Sequence, residues 1–182
     1  MPAENIAEVL VALESLARTG WMLRGVPSQL AETVAQHSFK ASLLAFEIAV
    51  RLKERGVEIN PERAAVIALL HDVGEAVIGD IPKTAGIPEA KKVAEDRAVK
   101  SLPLSDDAKQ LIMEYENERS REAIVARIAE MLATLVEAER YARIGFHVEE
   151  IRESMEKGLR EIYSRLDWGM IAESVVREII RV

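Results

Sequence analysis

Two of the three histidines in this 182-residue chain stand where side chains can converge on a metal ion. His37 lies in Val34-Ala35-Gln36-His37-Ser38-Phe39, and His71 opens His71-Asp72-Val73-Gly74-Glu75. A distant acid, Glu130, sits among small residues in a later segment. His37, His71, Asp72 and Glu130 together form a mixed nitrogen and oxygen donor set. Such a set suits Mn²⁺, Co²⁺, Fe²⁺ or Zn²⁺, with open positions for water and a phosphate oxygen. An ion in that setting activates water and polarises a phosphoryl group. Glu75 follows Asp72 by three residues and His71 by four. If a helix continues past Gly74, Glu75 projects from the same side as both and can exchange a proton with the attacking water or the leaving oxygen. Singly, each residue has a plainer reading: a packed histidine at a helix end, or a solvated helix-end acid at Glu75. The coincidence of four features points to phosphate chemistry.

The elements that must position these residues read as helices, about seven or eight of them. The first covers about Ala3 to Ala17, and a glycine-bearing loop follows from Thr19 to Pro27. A long helix runs from about Thr33 to Arg55 and is stopped by Gly56. Asn60-Pro61-Glu62 has the form of an N-cap with proline at the first helical position. The helix it opens ends near His71-Asp72-Val73-Gly74. Gly79 to Pro88, with two prolines and two glycines, is the clearest loop. It lies close to His71 and Asp72, where a substrate-covering loop would be useful. Ser105 and Ser120 start two further helices, the second reaching about Arg143. Two more cover roughly Glu149 to Arg165 and Met170 to Ile180, and no segment reads as a strand.

The helix from Glu122 carries a stripe of large apolar residues: Ile124, Ile128, Met131, Leu132, Leu135 and Val136. Its other side carries Ala123, Ala126, Ala133 and Thr134, with Glu130 among them. Two such faces predict packing on both sides. Glu130 then lies on a close-packed face, where a carboxylate needs a cation or a donor. A metal would serve, and so would the alternative of an ordinary surface acid beside Arg127 and Glu137.

Composition sets the bounds. Hydrophobic residues make up 49% of the chain and aromatics only 4%, so the core must be built from Ala, Leu, Ile, Val and Met. Abundant Glu, Arg and Ala favour helices. The length fits one domain over residues 1–182. A net charge of −7 argues against nucleic-acid or anionic-membrane partners. The longest apolar run, Ala64 to Leu70, is too short to span a bilayer. The chain has no cysteine, and its first residues lack a basic segment followed by an apolar one. The expectation is a cytoplasmic protein.

Three groups of segments carry a family resemblance. They are Arg18 to Val26 with Val34 to Ser38, His71 to Pro82, and Glu122 to Glu130. The chain resembles the HD-domain phosphohydrolases, and within them the compact 5′-deoxynucleotidase-like branch. The resemblance implies an all-α, single HD-domain bundle and a homodimer. It also implies phosphate removal from deoxynucleoside 5′-monophosphates with a divalent ion. Because only His147 remains beyond the pair, one ion is expected, Mn²⁺ or Co²⁺ first, then Zn²⁺, Fe²⁺ or Mg²⁺. By position, it implies His37, His71 and Asp72 as ligands and Glu75 as catalytic acid. Asp80 to Lys83 match a substrate-contacting loop, and Trp21 an aromatic beside the sugar or base.

Three positions depart from the family pattern. The last ligand is normally aspartate and is Glu130 here. The residue before His37 is usually acidic and is Gln36 here, which bears on the orientation of the ligand. The arginine that usually precedes the tryptophan is replaced by Gly20, which leaves Arg18 or Arg24 for the phosphate, or for surface salt bridges. His147 matches nothing and reads as a capping or surface residue. Two other classes remain open: a non-catalytic nucleotide-binding or interaction protein of HD type, and a phosphohydrolase for another small phosphorylated metabolite.

Overall fold

The computed structural model describes residues 4–82 and 86–180. Among them lie ten helical segments and no strand. Eight have ten or more residues, and two are single turns. In order they are α1 (Ile6–Ser15), α2 (Thr19–Met22), α3 (Val34–Glu54), α4 (Pro61–Leu70), α5 (Glu75–Ile78), α6 (Pro88–Ser101), α7 (Asp106–Glu116), α8 (Arg121–Arg143), α9 (Glu149–Ser164) and α10 (Gly169–Ile179). The expected all-α bundle is what forms. The read loop at Thr19 contains the one-turn helix α2, and α6 lies where no helix is expected from the sequence. Its run Glu89-Ala90-Lys91-Lys92-Val93-Ala94-Glu95-Asp96-Arg97 is too polar to give an apolar stripe, and Ala98 is its buried point of contact.

Helix starts follow local chemistry. Asn60, Ser105 and Ser120 each accept a bond from the backbone N–H three residues on, satisfying donors that the helix cannot. Thr33 and Gln36 form a capping box at the head of α3, with Gln36 Oε1 accepting from the Thr33 N–H at 3.0 Å. Gln36 is exposed. Its place before His37 therefore serves the helix end, and the expected influence on ligand orientation must come from another residue.

The centre of the bundle is α3, packed on α4 and α8, with α9 covering α8. Ala41, Ala45 and Ala49 of α3 join Ala126, Ala129 and Ala133 of α8 in the main core, all fully buried. Small side chains at these positions permit close packing of the helices. As expected, α8 is packed on both sides, and Glu130 is buried on it. Val136 departs from the expected stripe and is exposed, whereas Glu137 is buried.

The segment before α3 is strapped down. Arg18 N donates to Glu32 O at 3.0 Å and Val34 N to Leu16 O at 2.9 Å, closing an isolated antiparallel bridge between Ala17 and Thr33. Tyr141 of α8 pins the strap: its hydroxyl accepts from Glu32 N at 2.8 Å and donates to Leu30 O at 3.0 Å. Arg18 is thereby held against Asp72, just past the end of α4.

Candidate metal centre and pocket

His37 lies in the first turns of α3, and His71 and Asp72 follow the last turn of α4. One donor atom from each lies within 4.8 Å of the others. Both rings are buried, His37 completely. The His71 Nδ1 is 2.7 Å from the carbonyl of Ala68 and must donate to it, because a carbonyl only accepts. In the neutral ring that leaves the His71 Nε2 with its lone pair, 3.0 Å from Asp72 Oδ2. His71 Nε2 and both nitrogens of His37 make no hydrogen bond. Buried donors or acceptors without partners are costly, and a cation among two imidazoles and a carboxylate would relieve that cost. The residues therefore fit a divalent ion.

The electrostatics are ordered around this cluster. Burial and the Arg18 guanidinium hold His37 below its usual range. Burial opposes the charge on His71 too, but Asp72, with help from Glu130, outweighs it and raises His71. Asp72 is held well below the carboxylate range: burial opposes this, and His71 and Arg18 override it. Arg18 Nη1 donates to Asp72 Oδ2 at 2.7 Å.

Beyond Gly74 the chain continues in helical turns. Glu75 N bonds to Asp72 O at 3.0 Å, and Glu75 begins α5. Glu75 is 6% exposed and not a solvated helix-end acid. Burial, then Asp72 and Asp80, push its carboxyl up from 4.5 to about 10, and its Oε2 has no partner.

A cavity of about 410 Å³ opens onto the cluster, lined among others by Arg18, Trp21, Arg24, Asp80, Glu75 and Glu130. Asp80 accepts from the backbone N–H of Thr19, and Thr19 Oγ1 donates to the Asp80 carbonyl at 2.9 Å, so the pocket loop is tied to the head of α2. Arg24 stands at the rim and pairs with Glu150 at 2.6 Å. Lys83 lies outside the described residues. Glu130 shares the cavity but is not one of the three clustered residues, and Arg127 Nη1 donates to its Oε1 at 3.3 Å. His147 is 96% exposed at its side chain, a surface residue as expected.

Sequence reasoning did not find three groups here. Glu32 is buried, with its carboxylate beside both His37 and Trp21. Tyr115 packs against His71 with ring planes tilted by 59° and centroids 5.2 Å apart, and carries Arg127 4.0 Å above its ring. Lys91 of α6 reaches back to the carbonyl of Ile81 at 2.7 Å. The only sequence signal for Glu32 was an acid immediately before the N-cap of the histidine-bearing helix.

An HD domain family model matches residues 11–166. The chain is 29% identical over 139 residues to the 5′-deoxynucleotidase HDDC2 of Danio rerio, covering 72% of this chain and 66% of that protein. It is 30% identical over 136 residues to the Homo sapiens protein of the same name, covering 71% and 63%. The matched region thus spans somewhat less than two thirds of those relatives. A solved structure of a conserved hypothetical protein from Pyrococcus furiosus is 31% identical and superposes with a TM-score of 0.78, covering 95% of this chain and 99% of that one. An HD domain implies a divalent metal, and the paired histidines with their neighbouring aspartate could hold one. The chain belongs to the HD-domain family.

Proposed function

We propose that this chain is a metal-dependent phosphomonoester hydrolase acting on deoxynucleoside 5′-monophosphates. The observation that carries this reading is the junction of two chemistries in one cavity: unpartnered buried imidazole nitrogens beside Asp72, and a buried acid, Glu75, raised into the protonated form at neutral pH. The relatives named 5′-deoxynucleotidase support the substrate class.

His37, His71 and Asp72 would hold one divalent ion, Mn²⁺ or Co²⁺ first and Zn²⁺, Fe²⁺ or Mg²⁺ as alternatives. Glu130 is the remaining candidate ligand, and it would have to exchange its bond with Arg127. The chemistry supplied when the ion is bound is Lewis acidity toward a phosphoryl oxygen and toward water. Arg18 is placed to neutralise the phosphate oxygens, with Arg24 at the rim as a further cation. Trp21 and the Asp80 loop wall the side of the cavity that takes the sugar and base. In the reaction a water oxygen bonds to phosphorus as the ester P–O bond breaks, and Glu75 gives a proton to the departing 5′ oxygen. The proton lost by the water passes to solvent, from which the Glu75 carboxylate is protonated again. Neutralising Asp72 would remove one cause of the high Glu75 value and bring it down toward the range where acid–base exchange is fastest.

No described helix is long and apolar enough to cross a membrane. We place the protein in the cytoplasm and as a homodimer. The exposed stripe Phe39, Leu43 and Phe46 on α3, with Val66 and Leu69 on α4, supports a second copy as partner. The function is tested by incubating the protein with a panel of ribo- and deoxynucleotides and each divalent ion. Phosphate release from deoxynucleoside monophosphates is expected. A protein that releases none with any ion would overturn the reading.

A further inference from the structure

The two histidines of the cluster face different acceptors. His71 has the Ala68 carbonyl behind it, within hydrogen-bond distance. Behind His37 stands Glu32, whose Oε1 lies 3.6 Å from the His37 Nδ1, an electrostatic contact longer than a hydrogen bond. The same oxygen accepts the indole N–H of Trp21 at 3.0 Å. The other oxygen, Oε2, accepts from Lys40 at 2.7 Å, and Lys40 also pairs with Glu137. Arg140 Nε donates to Glu137 at 2.7 Å. Two acids and two cations therefore balance without any charge on His37. The backbone of Glu32 is fixed as well, its N–H on the Tyr141 hydroxyl and its carbonyl under the Arg18 N–H.

The consequence for His37 follows from donors and acceptors. A carboxylate oxygen only accepts. A neutral His37 beside it keeps its single proton on Nδ1, and its Nε2 then presents a lone pair on the far side of the ring. The side chain of Glu32 is 1% exposed, so water does not compete for this oxygen. Carboxylates in this relation to a ligating imidazole set its tautomer and raise its basicity.

We propose that Glu32 is a positioning residue of the metal site: its Oε1, shared between the His37 ring and the Trp21 indole, fixes the His37 tautomer and ties the cavity wall to that ligand. This rests on the metal-site reading above. It assigns to Glu32 the role that the exposed Gln36 does not fill.

The test uses the full chain, ¹⁵N-labelled at histidine, with His147→Gln so that only two imidazoles remain. In the metal-free protein the ring nitrogen shifts of His37 should report the proton on Nδ1. The isosteric variant Glu32→Gln, with folding checked by circular dichroism, should show a mixed tautomer at His37. It should bind Mn²⁺ roughly 10–100-fold more weakly by calorimetry. In a Trp168→Phe background, which leaves Trp21 as the only indole, its fluorescence should shift as well. A wild-type His37 protonated on Nε2 overturns the proposal and needs no variant. So does a folded Glu32→Gln with unchanged Mn²⁺ affinity and tautomer. A wild type that binds no divalent ion instead removes the metal-site reading, while the His37 tautomer still decides the role of Glu32.

Discussion

His37 and His71 face each other from two different helices, with ring centroids 5.3 Å apart and planes inclined at 56°. Helix α3 and the end of α4 must both be in place for this pair to exist, so ion binding reports on the packing of the bundle core. A ligand that binds only the folded state stabilises it by about 2.7 kcal/mol at 100 times its dissociation constant. For a chain of this size that corresponds to a rise in Tm of roughly 5–10 °C. Chelator-stripped protein should gain such a rise on addition of Mn²⁺, and His71→Ala should lose it. An equal rise in the variant would show that the ion binds elsewhere.

Glu75 is a buried acid that the fold tolerates at a cost. In the metal-stripped protein its carboxyl stands at about 10 against an ordinary 4.5. The folded state therefore holds a proton that the unfolded state releases as pH rises above about 4.5. The difference in bound protons makes stability fall through that window until about pH 10, by at most about 1.4 kcal/mol per pH unit from this group. Glu75→Gln should flatten that fall, which urea melts of both stripped proteins from pH 5 to 9 would read. The same variant should lower kcat by about 10²–10⁴-fold with little change in KM. Retained turnover would remove Glu75 as the proton donor.

Much of this arrangement was legible in the sequence, and the reasons differ by residue. Asn60-Pro61, Ser105 and Ser120 announced their helices because capping chemistry is local. Glu130 was readable as buried because the small-residue face of α8 repeats at helical spacing. Glu32 was not legible. Its burial depends on the bridge at Ala17 and Thr33 and on Tyr141, more than a hundred positions away in the chain. Helix α6 was hidden for the opposite reason, since a polar sequence shows no stripe when Ala98 is its one buried hydrophobic residue among the described residues.

Arg18 and Arg24 both face the cavity, but their settings differ. Arg18 is held against Asp72 in the centre, whereas Arg24 pairs at the rim with the exposed Glu150. A rim pair is worth about 0–1 kcal/mol and is easily replaced by water. Arg18→Gln should lower kcat/KM for a nucleoside monophosphate by at least about tenfold, a loss of one charge-assisted bond. Arg24→Gln should change it less than Arg18→Gln. A larger effect at Arg24 would move the phosphate to the rim.

Gly169 opens α10 where it meets the end of α9. A Cβ built there falls 1.9 Å from the carbonyl oxygen of Tyr163, which is backbone and cannot swing aside. Gly169→Ala should therefore cost about 1–3 kcal/mol in overpacking. Gly158 is a useful contrast. Its added Cβ meets only the end of the Met131 side chain, the methyl and, at 3.6 Å, the sulfur, and a flexible thioether end can move. Gly158→Ala also gains helix propensity of roughly 1 kcal/mol. Chemical denaturation should rank Gly169→Ala well below Gly158→Ala. The reverse order would mean that the turn between α9 and α10 can open.

The exposed apolar stripe on α3 sets a last expectation. Phe39, Leu43 and Phe46 recur at helical spacing and are 66%, 55% and 36% exposed, with Val66 and Leu69 of α4 exposed beside them. Side chains of this size seldom gather on a free surface. Their helix also carries His37, but on a different face, since His37 is wholly buried. Disruption of the stripe should then separate assembly from chemistry. Leu43→Glu places a charge in the middle of it and should turn a dimer into a monomer by sedimentation, with Mn²⁺ affinity unchanged. A wild-type protein that sediments as a monomer would leave the stripe without a second copy to cover it. A variant that remains a dimer would place the interface on another surface.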